Sequence, residues 1–135
     1  MKRILTFGVY DLLHIGHILL FKHAKEQGDF LIVAVQAGEK VLQYKPEANL
    51  VNSTEERLMM VASIRYVDEV VVYRDVDIDI KNIDFDVLAV GPDQNHEGFR
   101  KAKEWCKAHG KEVITIPRTE GISSSMLRGF LQIKQ

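Results

Sequence analysis

The chain lacks the features that would place it outside the cell or in a membrane. It has one cysteine, Cys106, so it cannot form an intramolecular disulfide, which suits a reducing compartment. No apolar run approaches the ~20 residues that a membrane-spanning helix needs, and the amino terminus carries no signal-peptide pattern. We therefore expect a cytoplasmic protein that makes no contact with a membrane.

Neither sign of charge is in excess. The 18 lysine and arginine residues face 19 aspartate and glutamate residues, which leaves a formal net charge of −1. This balance argues against a general nucleic-acid binder, although it leaves room for a local cationic pocket. We therefore expect small-molecule partners and no nucleic acid.

Three common signatures of nucleotide and hydrolase chemistry are also missing. The chain has no Gly-x-x-x-x-Gly-Lys-Ser/Thr loop, no Gly-x-Gly-x-x-Gly turn after its first strand, and no Gly-x-Ser-x-Gly elbow. These absences disfavour a P-loop kinase, a dinucleotide dehydrogenase and a covalent serine mechanism. Direct in-line displacement at phosphorus fits better than a covalent intermediate.

Short apolar runs alternate with amphipathic segments of helical length. This alternation predicts an α/β fold, a single doubly wound domain over residues 1–135 with a parallel sheet of about five strands and helices on both faces. The long stretch between the second strand and the second helix, residues 37–52, is predicted to be an irregular active-site loop. The predicted strands are Arg3–Phe7, Phe30–Gln36, Glu69–Val72, Val87–Val90 and Val113–Ile116, and the predicted helices are Ile15–Gln27, Ser53 or Thr54 to about Arg65, Ile78–Ile83, Gly98–His109 and Ser123–Leu131.

Two imidazoles lie just after the first predicted strand. Gly8 permits close approach of a ligand to the backbone, and His14 and His17 share one face at the start of the next helix, where unpaired N–H groups attract anions. A pair of surface or capping histidines is the competing interpretation. Zinc binding is disfavoured because the glutamate of His-Glu-x-x-His is absent.

A second anion-binding segment lies near the carboxyl terminus. Arg118 precedes Gly121 and three serines, Ser123 to Ser125, which open the last predicted helix. A basic turn with an ordinary serine cap is the alternative. Both segments follow parallel strands, so they would meet at the carboxyl edge of one sheet, where open α/β sheets bind ligands.

Other charged residues are predicted to approach the same edge. Lys45 is a loop cation that could fold over phosphates, and Arg57 lies near the start of its helix. Asp11 could orient a histidine or a loop backbone, or hold a metal through water. Asp93, after Gly91-Pro92, could recognise a base or ribose or simply form a turn. Arg65 is expected to pair with acids or support an interface.

Three segments in order resemble the signature motifs of the cytidylyltransferase group of the nucleotidyltransferase superfamily. The resemblance covers nearly the whole chain, and its size and layout are most similar to bacterial glycerol-3-phosphate cytidylyltransferases. The segments are Gly8-Val9-Tyr10-Asp11-Leu12-Leu13-His14-Ile15-Gly16-His17, Arg65-Tyr66-Val67-Asp68-Glu69-Val70 and Arg118-Thr119-Glu120-Gly121-Ile122-Ser123.

The resemblance implies a Rossmann-like fold, a homodimer, CTP as donor and Mg²⁺ held mainly by the triphosphate. In such enzymes the phosphate of an alcohol attacks the α-phosphorus of CTP and expels pyrophosphate. By motif, the implied catalytic residues are His14, His17, Lys45 and Arg118, and the implied substrate-binding residues are Asp11, Lys45 and Arg57. The implied nucleotide-binding residues are Gly8, Val9, Tyr10, Asp11, Gly16, Gly91, Asp93, Arg118, Gly121, Ile122, Ser123 and Ser124.

The acceptor is less well determined than the donor. Val9 stands where the bacterial glycerol-phosphate enzymes commonly have threonine, and Ser124 stands where threonine is frequent. The segment from Gly91 to His96 differs from the acidic, tryptophan-containing segment of those enzymes. Glycerol 3-phosphate, giving CDP-glycerol, is the favoured acceptor. Adenylyl transfer from ATP to a sugar phosphate or FMN is the alternative, and a catalytically silent nucleotide-binding module or a metal-dependent phosphatase is less favoured.

Overall fold

Five parallel strands form the centre of the molecule. A computed structural model describes residues 1–118. The strands lie in the order β3-β2-β1-β4-β5, and every neighbouring pair is parallel. The predicted doubly wound α/β fold is therefore confirmed. The strands are β1 (Arg3–Gly8), β2 (Phe30–Gln36), β3 (Glu69–Tyr73), β4 (Val87–Val90) and β5 (Glu112–Thr115).

Helices cover both faces of this sheet. Phe21 of α1 and Val61 of α3 pack on one face, and Ile80, which follows α4, and Phe99 of α5 pack on the other. In the part of the chain described, no helix is long and apolar enough to cross a membrane. The helices are α1 (Ile15–Glu26), α2 (Gly38–Tyr44), α3 (Thr54–Ala62), α4 (Val76–Asp79) and α5 (Glu97–Ala108), and a 3₁₀ turn, Ile80–Asn82, follows α4.

The core on the α5 face contains aromatic rings and the single thiol. The Phe7 ring makes edge-to-face contacts with Tyr73 and Phe99, at centroid distances of 4.9 and 6.3 Å. Such aromatic pairs add to the free energy gained from burial of their apolar surface. Cys106 of α5 lies in the same core with no exposed surface, and burial raises the pKa of its thiol.

The sheet opens on one side of β1. Strand β1 pairs with β2 along its whole length, from Arg3 to Gly8. It pairs with β4 only at Ile4–Val87 and Leu5–Leu88. Strand order reverses between β1 and β4, which is where α/β folds of this type bind ligands. The cleft therefore lies at the carboxyl ends of β1 and β4.

The opposite, amino edge is held by aspartates that accept hydrogen bonds from the starts of strands. Asp29 accepts from Lys2 N and Asp86 accepts from Arg3 N, each at 2.8 Å. Asp68 accepts from Leu31 N at 2.8 Å. These carboxylates satisfy N–H groups that a sheet otherwise leaves unpaired at its ends.

Two predictions about the elements need correction. Residues 37–52 are not one irregular loop, because the segment Gly38–Tyr44 folds as α2 with Val41 buried. Helix α3 ends at Ala62 rather than near Arg65, where the Ser63 hydroxyl bonds back to Met59 O at 2.8 Å. Serine side chains compete for helix carbonyls in this way. The predicted helix Ser123–Leu131 lies outside the described residues.

Candidate active site

A tight turn leaves the carboxyl end of β1. Tyr10 adopts a left-handed conformation with φ of 56°, which is uncommon for a residue other than glycine. Its ring folds back over Gly8, so a Cβ at that position would overlap the ring. Gly8 is thus required by the packing of Tyr10 as well as by the ligand approach that we predicted.

Tyr10, predicted to bind the nucleotide, has a side chain that points into the core. Its side chain is only 6 % exposed and packs edge-to-face against His17 and Phe21. Its hydroxyl, beside Thr6, has no hydrogen-bond partner of normal geometry among residues 1–118. Burial raises the pKa of this phenol. Tyr10 therefore packs against the His17 ring on the side of the core.

The two predicted histidines cap α1 together. His14 is the N-cap residue, and its Nδ1 accepts a hydrogen bond from Gly16 N at 3.0 Å. His17 Nδ1 accepts from His14 N at 3.3 Å. The capping interpretation and the functional one are therefore both compatible with this geometry. Gly16, predicted to bind the nucleotide, already donates its N–H to this cap.

This cap determines which nitrogen carries the proton. Because both Nδ1 atoms accept backbone N–H groups, a neutral ring must carry its hydrogen on Nε2. The rings lie 4.1 Å apart between centroids. Burial, and then the neighbouring His14, lowers the pKa of His17 to about 4, and burial lowers that of His14. At neutral pH the site presents two uncharged Nε2–H donors.

Asp11 holds two loops together through hydrogen bonds. Its two carboxylate oxygens accept from Val51 N and Asn52 N, each at 2.8 Å. Asn52 Nδ2 donates in return to the Asp11 carbonyl oxygen at 2.5 Å. Of the predicted roles, orientation of the loop backbone is therefore the one that this geometry favours. Asp11 connects the β1–α1 turn to the segment between α2 and α3.

Arg57 does not have the predicted direct contact with substrate. It is 0 % exposed, and its Nη1 donates to Val9 O at 2.9 Å and to Gln36 O at 2.7 Å. Its Nε donates to Asn52 O at 3.3 Å. Burial lowers the pKa of this guanidinium. Arg57 therefore connects the carboxyl ends of β1 and β2. It donates hydrogen bonds to carbonyl groups there that have no partner on a neighbouring strand.

A large cavity opens beside the end of β1. Its volume is about 910 Å³, and it lies on the face covered by α4 and α5. Val9 and Asp11 line it, as do Lys45, Asp93 and Gly8. Lys45 follows α2, is exposed, and forms no ion pair with another described residue. The rest of the wall combines apolar and aromatic side chains with charged ones, namely Val41, Tyr44, Leu50, Tyr73, Val76 and Phe99 together with Arg74, Asp77, Glu97 and Lys101.

The two histidines do not line that cavity. They belong to the start of α1, which packs on the opposite face of the sheet. The end of β1 therefore separates the pair of imidazoles at the start of α1 from a cavity whose wall is partly apolar and partly charged. Two reactants held on either side of β1 would be oriented for reaction with each other.

The turn after β4 borders the cleft. Asp93 forms an ion pair with Arg118, which follows β5, so these two predicted nucleotide-binding groups meet each other. A Cβ at Gly91 would meet nothing within 4 Å, which leaves open space above this turn. Gly121, Ile122, Ser123 and Ser124 lie outside the described residues.

Two polar residues of the site were missed by the sequence analysis. Asn52 holds Asp11, and Gln94 joins Gly91 N to Phe7 O. Both act through backbone atoms distant in sequence, and no local pattern reports such contacts. A polar residue two positions after a glycine-proline pair was the one available signal for Gln94. Arg65, which was expected to pair with acids or support an interface, is exposed on the segment after α3.

The Mg²⁺ implied by the motifs has no protein cage in residues 1–118. No three histidine, cysteine, aspartate or glutamate side chains gather there to hold a metal. Asp11 already accepts two backbone hydrogen bonds, and Asp93 already pairs with Arg118. Mg²⁺ bound to a triphosphate needs few protein ligands. The ion thus remains a prediction from the resemblance.

A family model described as cytidylyltransferase-like matches residues 5–130 of the chain. The chain belongs to this family. It is 39 % identical over 131 residues to a glycerol-3-phosphate cytidylyltransferase of Bacillus subtilis, with 95 % of each chain covered. It is also 45 % identical over 120 residues to an FAD synthase of Thermococcus kodakarensis, with 85 % of this chain and 79 % of that one covered.

A solved structure supports the same fold. The lipopolysaccharide core biosynthesis protein of Thermoplasma volcanium superposes with a TM-score of 0.75 at 23 % identity, over 89 % of this chain and 99 % of that one. Together with the relatives, this fold makes the chain a nucleotidyltransferase, as the motifs predicted. The relatives divide between two activities, so the acceptor is a separate question.

Proposed function

We propose that the protein transfers a cytidylyl group from CTP to a small phosphorylated alcohol, with glycerol 3-phosphate as the favoured acceptor. The observation that carries the proposal is the pair of imidazoles at the start of α1, beside the open end of β1, whose Nδ1 atoms both accept backbone N–H groups, so that each neutral ring has its donor on Nε2. The glycerol-3-phosphate cytidylyltransferases that match 95 % of the chain support this acceptor.

The chemistry follows from where charge develops. A phosphate oxygen of the acceptor attacks the α-phosphorus of CTP, a new P–O bond forms, and the bond to the β-phosphate breaks with both electrons leaving on pyrophosphate. Donors that are fixed in advance stabilise this charge without reorganising. His14 and His17 would hold the triphosphate, and Arg118 would neutralise its phosphates. Mg²⁺, when bound, would offset charge between the phosphates.

The cavity on the α4–α5 face would hold the acceptor. Its lining by Lys45 provides a cation for the acceptor phosphate, and the end of β1 separates it from the histidines. With CTP on one side of β1 and the acceptor on the other, the attacking oxygen approaches opposite to the leaving group. In-line displacement needs that approach.

Pyrophosphate release tests the proposal. The assay combines CTP or ATP with glycerol 3-phosphate, other phosphorylated alcohols, a sugar phosphate and FMN, and each product is identified by mass. We expect turnover with CTP and glycerol 3-phosphate. Turnover with ATP alone would contradict the nucleotide assignment, and binding of CTP without pyrophosphate release would indicate a silent binding module.

FMN adenylylation is the second candidate. An FAD synthase relative at 45 % identity supports it, and so do the size and aromatic lining of the cavity. Tyr44 is 62 % exposed at the end of α2 and offers a ring face that a flat acceptor could stack on. A Tyr44→Ala variant separates the two acceptors, because it should weaken FMN turnover and leave glycerol 3-phosphate turnover nearly unchanged.

A homodimer and a cytoplasmic location belong to the same proposal. The homodimer rests on the resemblance, with the segment Arg65–Val70 as the proposed interface, and the cytoplasmic location rests on the single cysteine. Light scattering across a range of concentrations tests the first, since a constant monomer mass would contradict it. Fractionation of cells tests the second.

A further inference from the structure

The strand pair that borders the cleft is held at its carboxyl end by one side chain. Backbone pairing between β1 and β4 is confined to Ile4–Val87 and Leu5–Leu88, although both strands continue beyond these pairs. A gap in a parallel ladder leaves N–H and C=O groups that need other partners. At this gap the partner is Gln94.

The Gln94 carboxamide spans the gap with two hydrogen bonds. Its Nε2 donates to Phe7 O of β1 at 2.7 Å, and its Oε1 accepts from Gly91 N, at the end of β4, at 3.0 Å. If the amide were flipped, its Nε2 would face the Gly91 N–H and its Oε1 would face Phe7 O, and neither contact would be a hydrogen bond. The two partners therefore determine which atom of the amide is nitrogen and which is oxygen. The side chain thus replaces backbone hydrogen bonds that are absent between β1 and β4 at this end.

The same residue shapes the turn that carries Asp93. Gln94 N donates to Gly91 O at 3.1 Å, so residues 91–94 close as a turn. Asp93, next to Gln94, forms the ion pair with Arg118 from beyond β5. One wall of the cleft therefore depends on Gln94, and the other wall is the β1–α1 turn with the histidines.

We propose that Gln94 is a positioning residue that sets the separation of these two walls and so the affinity for the nucleotide. The proposal rests on the proposed function for the site, because it assumes that the cleft between β1 and β4 holds a nucleoside triphosphate. Gln94 acts through the main chain of residues 91–93. It does not take part in the chemical step.

The primary test is the variant Gln94→Met, which keeps the side-chain length and removes both hydrogen bonds. We expect the KM and the Kd for CTP to rise about tenfold, which is the scale of one or two lost hydrogen bonds. The saturating kcat should change less than about twofold, because Gln94 does not touch the reacting atoms. Titration calorimetry measures Kd without the need for turnover.

The matched control is Asp86→Ala at the amino end of the same strand pair. Asp86 accepts from Arg3 N at 2.8 Å, so its loss weakens the β1–β4 pair from the opposite edge. This variant should lower the melting temperature and leave the Kd for CTP unchanged. If it raises Kd as much as Gln94→Met does, general loosening explains the effect and the proposal is wrong.

A second variant, Gln94→Glu, gives a pH signature. Ionised, its carboxylate faces Phe7 O and repels it; protonated, it donates to Phe7 O and accepts from Gly91 N as the amide does. The facing Phe7 oxygen and partial burial favour the neutral carboxyl and so raise its pKa above the ordinary value of about 4.3. Its affinity for CTP relative to the parent protein should therefore recover as pH falls from about 8 to about 5. A ratio independent of pH would count against the bridge.

These measurements separate the two proposals. If the parent binds CTP but releases no pyrophosphate with any acceptor, the proposed function fails, and the Kd comparison still decides the role of Gln94. If the parent is active and Gln94→Met leaves Kd unchanged, only the positioning role fails. If the parent binds no nucleoside triphosphate, both fail.

Discussion

The two edges of the sheet are held together in different ways. At the amino edge, Asp29, Asp68 and Asp86 each accept one N–H at the start of a strand, close to bulk water. At the carboxyl edge, Asp11, Arg57 and Gln94 reach between segments distant in the chain and bind main-chain atoms that border the cleft. The amino edge completes a sheet, whereas the carboxyl edge positions loops.

This difference predicts which substitutions will affect stability and which will affect function. Changes at the amino edge should lower the free energy of unfolding and spare turnover. Changes at the carboxyl edge should lower turnover or substrate affinity, because the loops carry the groups that meet substrate. Each of the following predictions tests whether the two edges differ in this way.

The largest effect should come from His17→Ala. It removes an Nε2–H donor from the start of α1, and loss of one such donor commonly costs about 10²–10³ in rate. Stability should change little by comparison. Steady-state pyrophosphate release measures the loss, and His109→Ala, on an exposed histidine at the end of α5, serves as the control. An equal loss in both variants would contradict a specific role.

Arg57→Met should affect both properties. It leaves three carbonyl groups, those of Val9, Gln36 and Asn52, without their buried donor. We expect the free energy of unfolding to fall by about 3 kcal/mol and the KM values to rise. Denaturant titration and kinetics measure the two effects. Arg3→Met, at the amino edge, should lose less stability and no activity.

Acid should weaken the fold through His17. Its pKa is about 4 in the folded protein against an ordinary value of 6.5, so the unfolded chain binds the extra proton first. Stability from this group is complete above pH 6.5 and is lost as pH falls towards 4. Because the His17 ring is only partly buried and solvent screens its charge, we expect a loss on the order of 1–2 kcal/mol. His17→Asn should flatten the melting profile over this range, and an unchanged slope would refute the assignment.

The smallest effect should come from Asp29→Ala. It removes one exposed hydrogen bond to Lys2 N, which we expect to cost about 0.5–1 kcal/mol of unfolding free energy. Turnover with saturating substrates should equal that of the parent. Parallel melting curves and rate measurements check both halves. A rate loss here would show that the amino edge also influences the site.

Sequence patterns located the strands well because buried parallel strands are apolar on both faces. All five were placed within one residue at each end, and the capping box at Ser53 and Glu56 marked the start of α3. Helix α2 was missed because its short sequence, Gly38–Tyr44, buries only Val41. One buried residue in two turns gives no periodic signal.

The site was predictable only in part. Gly8, His14 and His17 follow a strand in sequence, so their placement could be inferred from topology. The actual places of Asp11 and Arg57 depend on partners about 40 to 48 residues away, Val51 and Val9. Residue type suggested substrate contact for both, and only the three-dimensional structure shows that backbone groups occupy them.

The single thiol, that of Cys106, can report how often helix α5 separates from the sheet. It is buried in the core on the α5 face, so a thiol reagent can reach it only when α5 leaves the sheet. Under conditions in which the chain refolds faster than the reagent reacts, the labelling rate reports the population of opened molecules. No dye or added cysteine is needed to rank the variants above by this rate.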